Sequence, residues 1–223
     1  MANPNYSIAH SAERALSTNK VLKNTYMLLS ATLVFSALMA GLSMMLAVPP
    51  WMYMASVIVA MVLGIFVLPR TARSSSGIGV LFLITGLLGF GLGAILTLYL
   101  KLPHGPQVIG TAFAGTGLIF LGLSGYALTT KRDFSFMGGF LFAGIMVVFL
   151  VAIANIFLAM PALSLAVSGA IILLMSGFIL FDTSRIINGG ETNYIRATVS
   201  LYLNIYNLFI HMLHLLTALG GDD

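Results

Sequence analysis

This 223-residue chain has no cysteine, so a disulfide framework, a thiolate metal site and a cysteine nucleophile are all excluded. It is also short of charge. Asp, Glu, Lys and Arg together make up 7% of residues, against about 25% in a soluble domain. There is one tryptophan, and no long polar stretch suggests a separate water-soluble domain. A single core of this size cannot hide a chain that is 59% hydrophobic, which points to a polytopic membrane protein. With so little charge there is no basic surface for nucleic acid. The first 20 residues, MANPNYSIAHSAERALSTNK, lack the basic-then-apolar order of a cleaved signal, so the first apolar segment is expected to stay as an anchor.

What is abundant is apolar sequence in blocks of bilayer length. A hydrocarbon core of about 30 Å takes about 20 helical residues. Seven segments qualify: 25–48, 51–68, 77–100, 107–128, 137–160, 162–181 and 195–219. Breakers separate them, among them Pro49–Pro50, Pro69–Arg70, LPHGP at 102–106 and Met160–Pro161. The expected architecture is all-α: a polar N-terminal tail over residues 1–22 and a seven-helix transmembrane domain over 23–223. Nine of the ten basic residues (Arg14, Lys20, Lys23, Arg70, Arg73, Lys131, Arg132, Arg185 and Arg196) fall on one side of this topology. Lys101 and the acidic end Asp222–Asp223 fall on the other. The positive-inside rule then predicts a cytoplasmic N-terminus and an extracytoplasmic C-terminus.

Small residues recur inside the segments, as in GLLGFGLGA (86–94), GTAFAGTG (110–117) and SGYA (124–127). Such residues let membrane helices approach closely, so tight packing is the expected role. No strand–turn–helix context makes the GFGLG stretch a nucleotide loop.

The last segment carries Arg196, Ser200, Asn204, Asn207, His211 and His214, spaced 4, 4, 3, 4 and 3 apart. At about 100° per residue, all six fall within an arc of roughly 80°. A polar stripe has no hydrogen-bond partners in lipid, so it should face the bundle interior and make this helix central. Two roles stay open: interhelical hydrogen bonding worth about 0.6–2 kcal/mol per contact, or a hydrated, pH-responsive path. Asp182, near the end of the sixth segment, also has two readings. It can pair locally with Arg185 at i+3, or lie buried and reach across the tight GGETNYI connection to Asn204.

Catalytic patterns are weak. Gly122–Gly125 (GLSG) places Ser124 in a protease-like pattern, but the topology puts it toward the opposite membrane face from His211 and His214. The two histidines lack an accompanying carboxylate cluster for a metal. No catalytic residue, metal site or cofactor is expected, and the chain reads as a non-enzyme.

Longer blocks carry a resemblance: KVLKNTYMLLS (20–30), YALTTKRDFSFMGG (126–139), ANIFLAMPALSLAVS (154–168) and FDTSRIINGGETNYIRATVSLYLNIYNLF (181–209). These resemble the bacterial YccA-like branch of the Bax inhibitor-1 (transmembrane BAX inhibitor motif) family, over essentially the whole chain. The resemblance implies a seven-helix fold with a central last helix, in the bacterial inner membrane. It also implies a regulator that binds the AAA+ zinc protease FtsH and restrains degradation of membrane substrates such as the translocon subunit SecY. A tail over 1–22 would be the handle for the chain's own turnover.

Better-characterised members of the wider family imply the alternative, a pH-sensitive calcium or cation leak. Two carboxylates on the last two helices gate it, with an arginine near the second helix tuning them. Asp182 matches the first carboxylate, Asn204 stands at the second, and Arg70 is the match for the arginine. The remaining ion-path candidates are Arg185, Asn207, His211 and His214. An Asp–Asn pair has one proton to exchange where two carboxylates form a coupled pair. It also offers a divalent cation less charge. Calcium binding is therefore expected to be weak or absent.

Overall fold

The computed structural model describes residues 4–220, with side chains described at Leu16 and from Thr18 onward. Asp222, Asp223 and the Arg14 side chain, all used in the charge-asymmetry argument, lie outside the described residues. Seven helices are long and apolar enough to cross a membrane, and no strand occurs among the described residues. They are α1 (Pro4–Met45), α2 (Trp51–Thr71), α3 (Ser76–Tyr99), α4 (Gly105–Thr130), α5 (Met137–Leu158), α6 (Pro161–Ile187) and α7 (Tyr194–Leu219). Within α1 the apolar span begins at Thr18. The polar segment expected as a tail is helical from Pro4 and runs straight into that span.

The helix ends follow local chemistry. Pro106 and Pro161 stand in the first turns of α4 and α6, where a missing N–H costs nothing. Asn193 caps α7: its Oδ1 accepts from the N–H groups of Ile195 (2.9 Å) and Arg196 (3.1 Å). The Asn193 Nδ2 donates to the Ala72 carbonyl at 2.8 Å, tying the α6–α7 connection to the α2–α3 connection.

Pro69 was expected to end the second segment at Leu68, but α2 continues to Thr71. Proline cannot donate to the carbonyl four residues back, and the helix absorbs the defect as a π-helical turn over Leu63–Val67.

The seams are unequal. α1 packs along α3, which α2 covers from another side, and α5 leans only on α6. α7 packs against α1, α4 and α6 and touches α3. The last helix is therefore central, but four spans surround it rather than six. α2 and α5 lie outside, and α3 is the most buried span.

The glycines of α3 explain its burial. A Cβ on Gly89 would sit 2.2 Å from the Ser36 carbonyl oxygen, and one on Gly93 2.2 Å from that of Ala40. On Gly91 it would meet the Ser56 Cβ of α2 at 2.8 Å. Close packing is thus the role of the 86–94 stretch. It does not extend to Gly110, Gly117, Gly122 and Gly125 of α4, which face open space.

Candidate functional site

The polar stripe of α7 meets α6 in two clusters. In the first, Asp182 Oδ2 accepts from Ser200 Oγ at 2.6 Å and from Asn204 Nδ2 at 2.8 Å. Asp182 and Asn204 are both buried. The local Asp182–Arg185 pair is not formed. Arg185 instead donates to the Gly190 carbonyl (3.3 Å), lies 4.0 Å from Glu191, and stacks over Phe181. Its side chain has turned along the connection, leaving Asp182 to face α7. Beside this cluster is a pocket of about 220 Å³ lined by Asp182, Arg185, Glu191, Arg196 and Ser200. Arg196 is exposed and stands at its rim.

The second cluster holds the histidines. His214 Nδ1 is 2.9 Å and His211 Nδ1 3.1 Å from Ser168 Oγ, a buried hydroxyl. One hydroxyl has one proton to give, so with both rings neutral it donates to one Nδ1 and accepts from the other. Among the described residues, no group of three His, Cys, Asp or Glu is placed to hold a metal.

The two clusters are not continuous. Ser168, Met175, Ile179 and Asp182 follow one another at 7, 4 and 3 residues, so they share one face of α6. Met175 and Ile179 are buried between the polar ends, opposite the buried Leu208 of α7. Asn207 leaves the seam: its Nδ2 donates to the Leu203 carbonyl at 2.8 Å, and it lines a second cavity between α2 and α7. Arg70 is exposed and donates to the Phe66 carbonyl of its own helix, and it does not line the Asp182 pocket. Six of the seven candidate residues therefore lie on the α6–α7 pair, and one lies elsewhere.

Sequence reasoning missed three groups. Ser168 stands 14 residues before Asp182, two heptads along the same face, and that spacing was the available signal. Thr183 Oγ1 lies 3.4 Å from both Tyr26 OH and Ser124 Oγ, so Ser124 belongs to a hydroxyl cluster apart from the histidines. Ser184 Oγ accepts from Phe134 N–H (2.9 Å) and donates to the Arg132 carbonyl (3.0 Å), pinning the α4–α5 loop to α6. In that loop, the exposed Asp133 carboxylate is held below the ordinary carboxylate pKa by the Ser135 hydroxyl and then by the Ser135 N–H, which donates to it at 2.8 Å.

The family model described as inhibitor of apoptosis-promoting Bax1 matches residues 18–221. The chain belongs to the Bax inhibitor-1 family. It is 51% identical to the protein named "Modulator of FtsH protease YccA" of Escherichia coli K12, across 97% of this chain and 98% of that one. It is 48% identical to an uncharacterised membrane protein of Vibrio cholerae over the full length of both. An uncharacterised protein of Pseudomonas aeruginosa is 42% identical, again over both whole chains. In this chain the buried carboxylate of the α6–α7 seam, Asp182, has an amide, Asn204, as its partner.

Proposed function

We propose that the protein is a non-enzymatic, multi-pass regulator of the bacterial inner membrane. It binds the FtsH protease complex and restrains degradation of membrane proteins. One observation carries this reading: 51% identity along nearly the whole chain to a protein named as a modulator of FtsH. The geometry is compatible with a binding role. Asp182 with Ser200 and Asn204, and Ser168 with His211 and His214, hydrogen-bond between α6 and α7, and an apolar layer separates the two groups. Among the described residues Asp182 is the one carboxylate within α6 and α7, and both donors near it converge on its Oδ2, while Glu191 of the connection, which lines the same pocket, stands 4.0 Å from Arg185. Such a site offers a divalent cation less charge than a pair of carboxylates would.

The N-terminus lies in the cytoplasm on this reading, where the helical segment before Thr18 can reach a cytoplasmic protease domain. Recovery from native membranes tests the binding. The tagged protein is expected to bring down FtsH, and deletion of residues 1–17 to weaken that recovery. A pull-down with no FtsH, under conditions that recover it with the Escherichia coli relative, overturns the reading. Orientation is tested separately, since the chain has no cysteine and single-cysteine labelling has no background. Ser74→Cys should react only from the cytoplasmic side and Lys101→Cys only from the opposite side.

A further inference from the structure

Ser168 Oγ stands 2.9 Å from His214 Nδ1 and 3.1 Å from His211 Nδ1, so one hydroxyl bridges two rings. A neutral imidazole has one N–H and one bare nitrogen, and a hydroxyl has one proton and two lone pairs. One ring must then present Nδ1–H to the oxygen, while the hydroxyl proton points at the bare Nδ1 of the other. The two neutral rings are opposite tautomers. In the ring that donates through Nδ1, Nε2 is bare and lies outside the bridge. A proton that lands there leaves both bonds of the bridge as they were. In the other ring Nε2 already holds its proton, so a second proton has only Nδ1 to go to, where the hydroxyl proton sits. That proton would have to turn back to its own helix, and two cations would face one oxygen. The bridge takes up one proton without rearrangement and opposes a second.

Among the described residues, no fixed charge competes with the bridge. Asp182 and Arg185, the ionisable residues of α6, begin 14 residues from Ser168, about 21 Å along the helix, with Met175 and Ile179 buried between. On α7, Tyr194 and Arg196 stand at the far end, while Tyr202 and Tyr206 bond to α1 and α3. α1 has no ionisable side chain from Met27 to Met45, and α5 has none. α4 meets this stretch of α7 at Gly115, where an added Cβ would lie 3.4 Å from Met212 Cε, and its one ionisable residue is Tyr126. α2 and α3 bring Tyr53 and Tyr99 to this end of the bundle, and tyrosines stay neutral where imidazole titrates. Lys101 and His104, in the α3–α4 connection, are exposed. Asp222 and Asp223 lie outside the described residues. The two rings are half-buried, and His214 lies five residues, about 8 Å, from the end of α7 at Leu219. His214 is thus within two turns of the water phase at that end.

We propose that His211, Ser168 and His214 form a one-proton site fed from the water phase at the C-terminal end of α7. That phase is extracytoplasmic on the orientation proposed above. The ligand is the proton, the rings bind it, and Ser168 is the positioning residue that sets which ring and which nitrogen. When that phase is acidified, one positive charge appears in the seam between α6 and the central helix. The apolar layer separates the bridge from Asp182, so protons are registered at this end and not passed along the seam. None of this requires FtsH, so the site and the FtsH reading fail separately.

The test is nitrogen-15 spectroscopy of the full chain, labelled at histidine, in vesicles of phosphatidylethanolamine and phosphatidylglycerol. His211→Asn and His214→Asn assign the two rings. At a pH well above the imidazole range, one ring should be protonated at Nδ1 and the other at Nε2. On acidification one ring should become imidazolium while the other stays neutral over at least about one further pH unit. Ser168→Ala should abolish the opposite tautomers, and Ser168→Thr, which keeps a hydroxyl, should restore them. Asp222→Asn combined with Asp223→Asn should leave the pattern unchanged. With the protein inserted in one orientation, only acid added on the C-terminal side should charge the ring. The same tautomer in both rings, or joint charging in one step, overturns the proposal. So do opposite tautomers that survive Ser168→Ala, or a pattern that follows the terminal aspartates. Charging from the opposite side overturns it equally.

Discussion

Gly89→Ala adds one methyl group at one of the two tightest points between α1 and α3. Alanine is otherwise the better helix residue by about 1 kcal/mol, so helix propensity alone predicts stabilisation. The structure predicts the reverse. The new Cβ would lie 2.2 Å from the Ser36 carbonyl oxygen and 2.5 Å from Ser36 Oγ. A backbone atom cannot rotate away, so α1 must move. Overpacking of this kind costs about 1–3 kcal/mol. The same Ser36 Oγ holds Tyr202 OH of the central helix at 2.6 Å, and losing that bond costs about 0.5–1.5 kcal/mol more. The net is a loss on the order of 2 kcal/mol. Gly110→Ala, in open space, keeps the helix gain without the clash. Gly86→Ala should fall between them, because its 2.6 Å contact is a ring carbon of Phe35 that can turn aside. Thermal loss of monodisperse protein in detergent, followed by size exclusion, ranks the variants. An ordering in which Gly89→Ala survives as well as Gly110→Ala refutes close α1–α3 packing.

At the first cluster, Asp182→Ala, Asn204→Ala and the double variant should show a coupling of about 0.6–1.7 kcal/mol in a denaturation cycle; strictly additive losses would contradict the hydrogen bond seen. Asn204→Asp places two carboxylates in contact, and any ion flux in proteoliposomes should then depend on pH more steeply than in the parent; an unchanged profile counts against coupling at this pair. Ser168→Ala removes the hydroxyl that both histidines share, so the nitrogen-15 shifts of His211 and His214 should move together; movement of one alone breaks the shared-partner geometry. In the α4–α5 loop, the folded pKa of Asp133 is depressed, so its Ser135 contact contributes above the unfolded carboxylate pKa and is lost as pH falls through the folded one. Carbon-13 titration should place Asp133 below an ordinary aspartate and Asp133→Asn should remove the transition.

The spans were legible because hydropathy over about 20 residues reflects the solvent itself. The stripe on α7 was legible because its 3–4 spacing admits one geometry. The end of α2 was misjudged, since proline usually stops a helix, whereas here a π-helical turn carries the chain past Pro69. Ser168 stayed hidden because serine in a helix commonly bonds its own backbone, as Ser176 does with the Ile172 carbonyl. Arg185 was a matter of competition: Asp182 lies at i−3, but Gly190 and Glu191 in the turn hold the guanidinium. The groove between α2 and α7 left no sequence signal, because it arises where two helices fail to pack.

The last helix is held by different chemistry on its different sides. In a bilayer no hydrophobic force draws apolar helices together, so contact rests on close packing and hydrogen bonds. Toward α1 and α3, Tyr202 bridges the Ser36 hydroxyl and the Thr85 carbonyl, and Tyr206 reaches the Leu88 carbonyl. Glycines on α3 make that approach possible. Toward α6, Ser200 and Asn204 converge on Asp182 near one end, and the histidines converge on Ser168 near the other. Between α2 and α7 neither device operates, and there the cavity opens. An interaction that reshapes this protein without breaking its seams therefore has one side on which to act, and α2 is the helix it would move.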